Sequence, residues 1–174
     1  PACQPLDKHL HVTPDPGNIF QRQLWAGALR HKVGHCQMSE AIRARLFLVG
    51  CPRSGTTWLQ SMLAAHSAIT SFPESHFLLS ASRSQRGRWM RKVGLVAPEM
   101  WQQLRQFLQQ IGHPELMPPK PFRLQPFVQR FAQILDQVTV ARGKAIWVEK
   151  TPSHLYYIDD FTTAIPDVRF IHLI

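Results

Sequence analysis

Apolar residues occur along this chain in two rhythms. Short uninterrupted runs alternate with longer stretches in which apolar positions recur every three or four residues. Leu46-Phe47-Leu48-Val49, closed by Gly50, has the length and boundary of a buried parallel strand. Trp58, Leu59, Met62 and Leu63 then fall at helical spacing and predict a helix over Gly55 to Ala65. Ile69 to Phe72 reads as a second strand, Ser75 to Ser82 as a helix, and Arg83 to Lys92 as a basic, solvated loop. Pro98 and Glu99 suit the first turn of a helix running to about Ile111, with Gly112 just past its end. The four prolines between His113 and Pro121 predict a loop. Phe127, Val128, Phe131, Ile134, Leu135 and Val138 form one apolar face and predict a helix to Val140. Ala145 to Val148 is a further short strand. Thr151 and Pro152 read as N-cap and first residue of a helix to about Ala164, and Pro166-Asp167 turns into a last strand from Val168.

Strands alternating with helices predict an α/β fold, a parallel sheet of βαβ units with right-handed crossovers. The helical stretch between residues 75 and 142 is long for a crossover and is expected to form a cap over one end of the sheet. Residues 1–40 are Pro- and His-containing and weakly patterned. They predict an extended arm with one short helix around Phe20 to Leu29, and Ser39 to Arg45 suits a helical turn. The last strand runs to Ile174 without a closing turn, so the sequence reads as C-terminally truncated. It begins at Pro1 rather than Met, which leaves room for an earlier targeting segment.

With 174 residues the chain suits one domain with a real core, and 44% apolar residues exclude a disordered or low-complexity class. No apolar run approaches the length of a membrane span. Lys and Arg number 20 against 11 Asp and Glu, a net charge of +9, which points to an anionic partner. Cys3, Cys36 and Cys51 form neither a disulfide framework nor a zinc spacing, so a reducing, cytoplasmic setting is expected.

The most informative segment is Gly50-Cys51-Pro52-Arg53-Ser54-Gly55-Thr56-Thr57-Trp58. A strand, a glycine-bounded loop and a helix in this order bring backbone N–H groups to bear on an anion at the helix N-terminus. Gly55 permits close approach, Thr56 and Thr57 add hydroxyls, and Arg53 adds a forked positive charge. The spacing fits a P-loop, and with it a nucleotide-kinase-like fold. However, Thr56 stands where a nucleoside triphosphatase carries lysine, and no Walker-B acid for magnesium is evident. The loop suits a 5′ phosphate with a transferable neighbour.

Pro52 to Trp58 resembles the 5′-phosphosulfate loop of PAPS-dependent sulfotransferases. His66 to Phe77 is similar to the segment after the loop helix in the heparan sulfate and tyrosylprotein sulfotransferases, and Glu149-Lys150-Thr151-Pro152 is similar to the Glu-Lys-Thr-Pro segment of the heparan group. The resemblance covers residues 45–82 and 144–174. It makes 41–174 the N-terminal part of a sulfotransferase domain and 83–143 an acceptor-side insertion. It implies PAPS as sulfuryl donor, a hydroxyl- or amine-bearing acceptor and no metal. It also implies that the 3′-phosphate site lies past Ile174, so the fragment alone is expected to lack full activity.

The implied catalytic group is Glu74, Lys150, His76 and Arg53, and the implied donor-binding group is Arg53, Ser54, Gly55, Thr56, Thr57 and Trp58. From the residues alone Glu74 suits either a base or the first acid of a helix; the resemblance assigns it as general base. His76 suits orientation of Glu74, contact with the acceptor, or a structural place. Lys150 ends a strand where α/β folds bind ligands, which suits either charge stabilisation on the transferring group or a solvated strand-end lysine. Thr151 reads as a cap, His66 as structural or a C-terminal cap of the loop helix, and Trp89, Trp101 and Trp147 as pocket lining or core. Three other readings stand beside this one: a P-loop small-molecule kinase, a non-catalytic nucleotide binder and a basic nucleic-acid-binding module. No helix-turn-helix, zinc or RNP-type signature supports the last.

Overall fold

The protein is described by a computed structural model over residues 41–120 and 122–174. The expected N-terminal arm, its short helix, Cys3 and Cys36 lie outside the described residues. Strand β1 is Ala44–Gly50 and helix α1 Thr56–Ala64; β2 is Ile69–Phe72. A 3₁₀ turn over Leu79–Arg83 leads to α2, Gln85–Lys92, and then α3, Pro98–Gln110. A 3₁₀ turn at Pro114–Leu116 precedes α4, Leu124–Ala141, and β3, Ile146–Lys150. A 3₁₀ segment, Pro152–Tyr157, runs into α5, Ile158–Ala164, and β4 is Val168–Leu173. The four strands form one sheet in the order β2-β3-β1-β4, and every neighbouring pair is parallel. The α/β class and the βαβ reading hold.

The two faces of the sheet are covered unequally. Phe47, Val49, Phe72 and Trp147 face a large core closed by α3, α4 and α5, with Met100, Leu104, Phe107, Phe131 and Phe161 all buried there. Leu48, Ile69 and Val148 face the other way and pack against Leu59 and Leu63 of α1. The alternation of side chains along a strand produces this division. Asp136 of α4 fixes that helix to the sheet, accepting from Trp147 Nε1 at 2.7 Å and pairing with Arg45 at 2.9 Å. Trp147 is therefore core, and Arg45 lies in β1 rather than in a helical turn.

Local chemistry explains the remaining differences from the sequence pattern. Segment 83–92 is not a loop: Ser84 caps α2 by accepting from the Gly87 N–H at 2.9 Å. Gly87 is required there, since a Cβ would collide with the Ala81 carbonyl. The helix expected from Ser75 starts later, at Leu79, and residues 73–76 are irregular. At the end of α3, His113 N–H bonds Leu108 O at 2.9 Å and Gly112 N–H bonds Gln109 O at 3.2 Å, the Schellman pattern with glycine at φ +81°. Among the described residues no helix is long and apolar enough to cross a membrane.

Candidate active site

The loop after β1 is shaped by two glycines. Gly50 has φ +154° and lies so close to β4 that a Cβ would strike the Leu173 carbonyl. Cys51 N–H continues the approach by bonding Leu173 O at 3.4 Å. Ser54 N–H closes a turn on Cys51 O at 3.2 Å, with Arg53 in the left-handed region at φ +69°. Gly55, at φ +87°, is the N-cap of α1. No side chain caps this helix and no acid stands in its first turn, so its leading N–H groups are left for an outside anion. The Ser54 hydroxyl is buried without a hydrogen-bond partner among the described residues. An uncapped helix start, an unpartnered hydroxyl and an exposed Arg53 fit a phosphate-type ligand. Trp58 is 72% exposed beside this loop.

Parallel pairing of β2 and β3 builds the second half of the site. Phe72 stands opposite Glu149, so the chain leaving β2 passes the end of β3. There the Lys150 ammonium forms an ion pair with the Glu74 carboxylate and donates to Thr57 Oγ1 at 3.2 Å. His76 Nε2 lies 3.3 Å from Glu74 Oε2. Glu74 and His76 are about one-third exposed at the side chain, whereas Lys150 is nearly buried. Glu74 is not a helix-start acid, because no helix begins at that point. The fold thus joins Glu74, His76, Lys150 and Thr57, while Arg53 and Trp58 remain on the rim of the loop without hydrogen bonds to that group among the described residues. Lys150 reaches the start of α1 from β3.

A buried network underlies these residues. Glu149 is fully buried. Its Oε1 accepts from the Ser75 N–H at 2.9 Å and from the Thr151 hydroxyl at 2.5 Å, and its Oε2 lies 3.1 Å from His154 Nδ1. Burial pushes the Glu149 carboxyl up, but the His154 charge and the hydrogen bonds from His154, Thr151 and Ser75 outweigh it and hold it below the usual glutamate value. Thr151 stands at the N-cap position of the 3₁₀ segment, but its hydroxyl makes no cap hydrogen bond and belongs to this network instead. Neither Glu149 nor His154 carries a role in the sequence reading. The available signal was an acid directly after the apolar run Ala145 to Val148 and within the same strand, which demands buried partners.

The model of a family described as a sulfotransferase family matches residues 45–174, a span that takes in the loop, Glu74 and Lys150. No curated protein matches the chain.

Proposed function

Because the chain belongs to the sulfotransferase family, we propose that it moves a sulfuryl group from PAPS to a hydroxyl or amine of an acceptor, with Glu74 as general base. The observation that carries this reading is the convergence of Lys150 on both Glu74 and Thr57. One cation links a carboxylate to the start of an uncapped helix, which is the layout that transfer between an anionic donor and a protic acceptor requires.

PAPS supplies the sulfuryl group and departs as 3′,5′-bisphosphoadenosine. The protein's part is positioning, charge stabilisation and proton removal, by analogy with phosphoryl transfer. The leading N–H groups of α1, with Ser54, Gly55, Thr56 and Thr57, hold the 5′ phosphate. Arg53 adds charge at the loop rim, and Trp58 offers an exposed ring for the donor's base. Lys150 neutralises charge on the oxygens around the transferring group. Glu74 takes the acceptor's proton, and His76 orients Glu74 or bonds the acceptor. Residues 83–143 form the acceptor side, where α2 presents Arg86, Trp89 and Lys92 to solvent.

Calorimetric titration with 3′,5′-bisphosphoadenosine and, separately, with ATP–magnesium tests this reading. The bisphosphate is expected to bind more tightly. A preference for ATP–magnesium overturns the reading in favour of a P-loop kinase.

A further inference from the structure

Residues 73–76 carry both Glu74 and His76, yet they belong to no helix or strand. No ladder hydrogen bonds hold them, and His76 is in the left-handed region at φ +48°, which disfavours that shape for a non-glycine residue. A base displaced by about 1 Å can lose about a hundredfold in rate. Something else must hold this segment.

The hold is applied at the Ser75 peptide, which is fully buried. Its N–H reaches Glu149 Oε1 at 2.9 Å and Thr151 Oγ1 at 3.1 Å. Its carbonyl accepts from Gln103 Nε2 of α3 at 3.0 Å. The next N–H, of His76, reaches Thr151 Oγ1 at 3.4 Å. Glu149 is itself locked. Thr151 and His154 occupy its oxygens, and the His154 ring is enclosed edge-on by Phe47, Tyr157 and Phe161, with centroids 5.9, 6.4 and 5.0 Å away. Side chains alternate along β3, so consecutive residues serve two purposes: Lys150 turns toward Thr57 and Glu74, and Glu149 turns to the peptide behind Glu74.

We propose that Glu149 is a positioning residue, whose buried carboxylate holds the Ser75 peptide and thereby sets where Glu74 stands against Lys150. This rests on the functional reading above, in which Glu74 is the base. A core made only of apolar residues could close this end of the sheet without the cost of burying a carboxylate. The directed hydrogen bond to the residue after Glu74 is what the carboxylate adds.

The test uses the full chain and the variants Glu149→Gln, Thr151→Val and Thr151→Ser. Two quantities are read: amide hydrogen exchange at Ser75 by NMR, and steady-state release of bisphosphate from PAPS with a phenol, a monosaccharide and a tyrosyl peptide as acceptors. In Glu149→Gln, Ser75 exchange is expected to accelerate relative to the β1 amides. The turnover number is expected to fall about tenfold to a hundredfold, with KM for PAPS unchanged. Thr151→Val should lower turnover as well, and Thr151→Ser should restore it. If Glu149→Gln fails to fold, the Thr151 pair reads the same clamp. Unchanged Ser75 exchange overturns the clamp. Faster exchange with undiminished turnover overturns the positioning role, and so does a fall in turnover that Thr151→Ser does not rescue. A wild-type protein that binds ATP–magnesium more tightly than 3′,5′-bisphosphoadenosine overturns the functional reading instead, while the exchange measurement still reads the clamp.

Discussion

Glu74 and Lys150 form an ion pair although 76 positions separate them in sequence. The register of two parallel strands is responsible. With Phe72 opposite Glu149, the residue two places beyond β2 meets the last residue of β3. Because Lys150 also donates to Thr57, the same ammonium ties the acid to the helix that starts at the phosphate loop. The ends of three elements are thus joined at one point, at the carboxyl edge of the sheet where open α/β folds bind ligands.

Replacement of Glu74 by glutamine keeps its shape and removes its capacity to take a proton. Sulfuryl transfer is expected to fall by about 10²- to 10⁴-fold, the range for loss of a general base. Affinity for 3′,5′-bisphosphoadenosine should be unchanged, because among the described residues Glu74 bonds to Lys150 and His76 and not to the loop backbone. Transfer at the wild-type rate would remove Glu74 from the mechanism.

Lys150→Met removes the ammonium and retains most of the stem volume. Transfer should fall by about 10²- to 10³-fold, comparable to loss of one preorganised charge-stabilising donor. Bisphosphate binding should weaken too, since the same group approaches Thr57. Lys150→Arg should not rescue the rate: a planar fork cannot reproduce a point charge shared between Glu74 and Thr57 in a nearly buried position. Rescue by arginine would mean that only net charge matters there.

The strands and long helices were legible in the sequence because each has a pattern its environment enforces. Leu46 to Val49 is apolar throughout since both faces of β1 are covered, and α3 and α4 show one apolar stripe because each has one buried face. Glu74, Lys150 and the loop were legible through order and motif. Their meeting was not, because it depends on the β2–β3 register. Segment 83–92 was read as a loop since its polarity hides the helix, which Ser84 starts and Arg91 anchors by pairing with Asp160 and lying 4.5 Å from the Tyr157 ring centroid. The roles of Glu149 and Thr151 were invisible for a related reason: their shared partner is a backbone N–H 74 residues from Glu149, and no side-chain pattern marks it.

Two glycine substitutions should separate the loop's two requirements. Gly55→Ala has open space for its methyl, so its cost is conformational, about 1–2 kcal/mol for a left-handed alanine. It should weaken bisphosphate binding as the loop relaxes from that shape. Gly50→Ala places a methyl against the Leu173 carbonyl and should disrupt the β1–β4 pairing, with a larger loss of stability. Thermal unfolding and calorimetry on both variants check this. Equal destabilisation by the two would mean that the contact between Gly50 and β4 is not tight in solution.

On α2, Arg86 and Trp89 lie three positions apart on an exposed flank, and no acid interrupts the segment from Ser75 to Pro98. If this flank faces an anionic acceptor, Arg86→Glu should raise KM for such an acceptor by about two- to fivefold, in keeping with exposed charge pairs. KM for a neutral acceptor and for PAPS should stay fixed, and the effect should fade with added salt. An equal rise for charged and neutral acceptors would refute charge-based docking at α2.

Stability below pH 5 should report on Glu149. An unfolded glutamate titrates near 4.3, and the native carboxyl lies below its usual value. At neutral pH the group is ionised in both states and its contribution to stability is complete. As pH falls past about 4.3 the unfolded chain takes up its proton first, because the native site still resists, and stability drops until the native carboxyl protonates as well. Glu149→Gln lacks this proton and should lack this part of the slope. Urea midpoints measured from pH 5 to pH 3 should therefore show the wild type more stable than Glu149→Gln at about pH 5, with the gap closing as the pH falls. A gap that persists unchanged to pH 3 would show that Glu149 does not enter the native state as a carboxylate held by His154, Thr151 and Ser75.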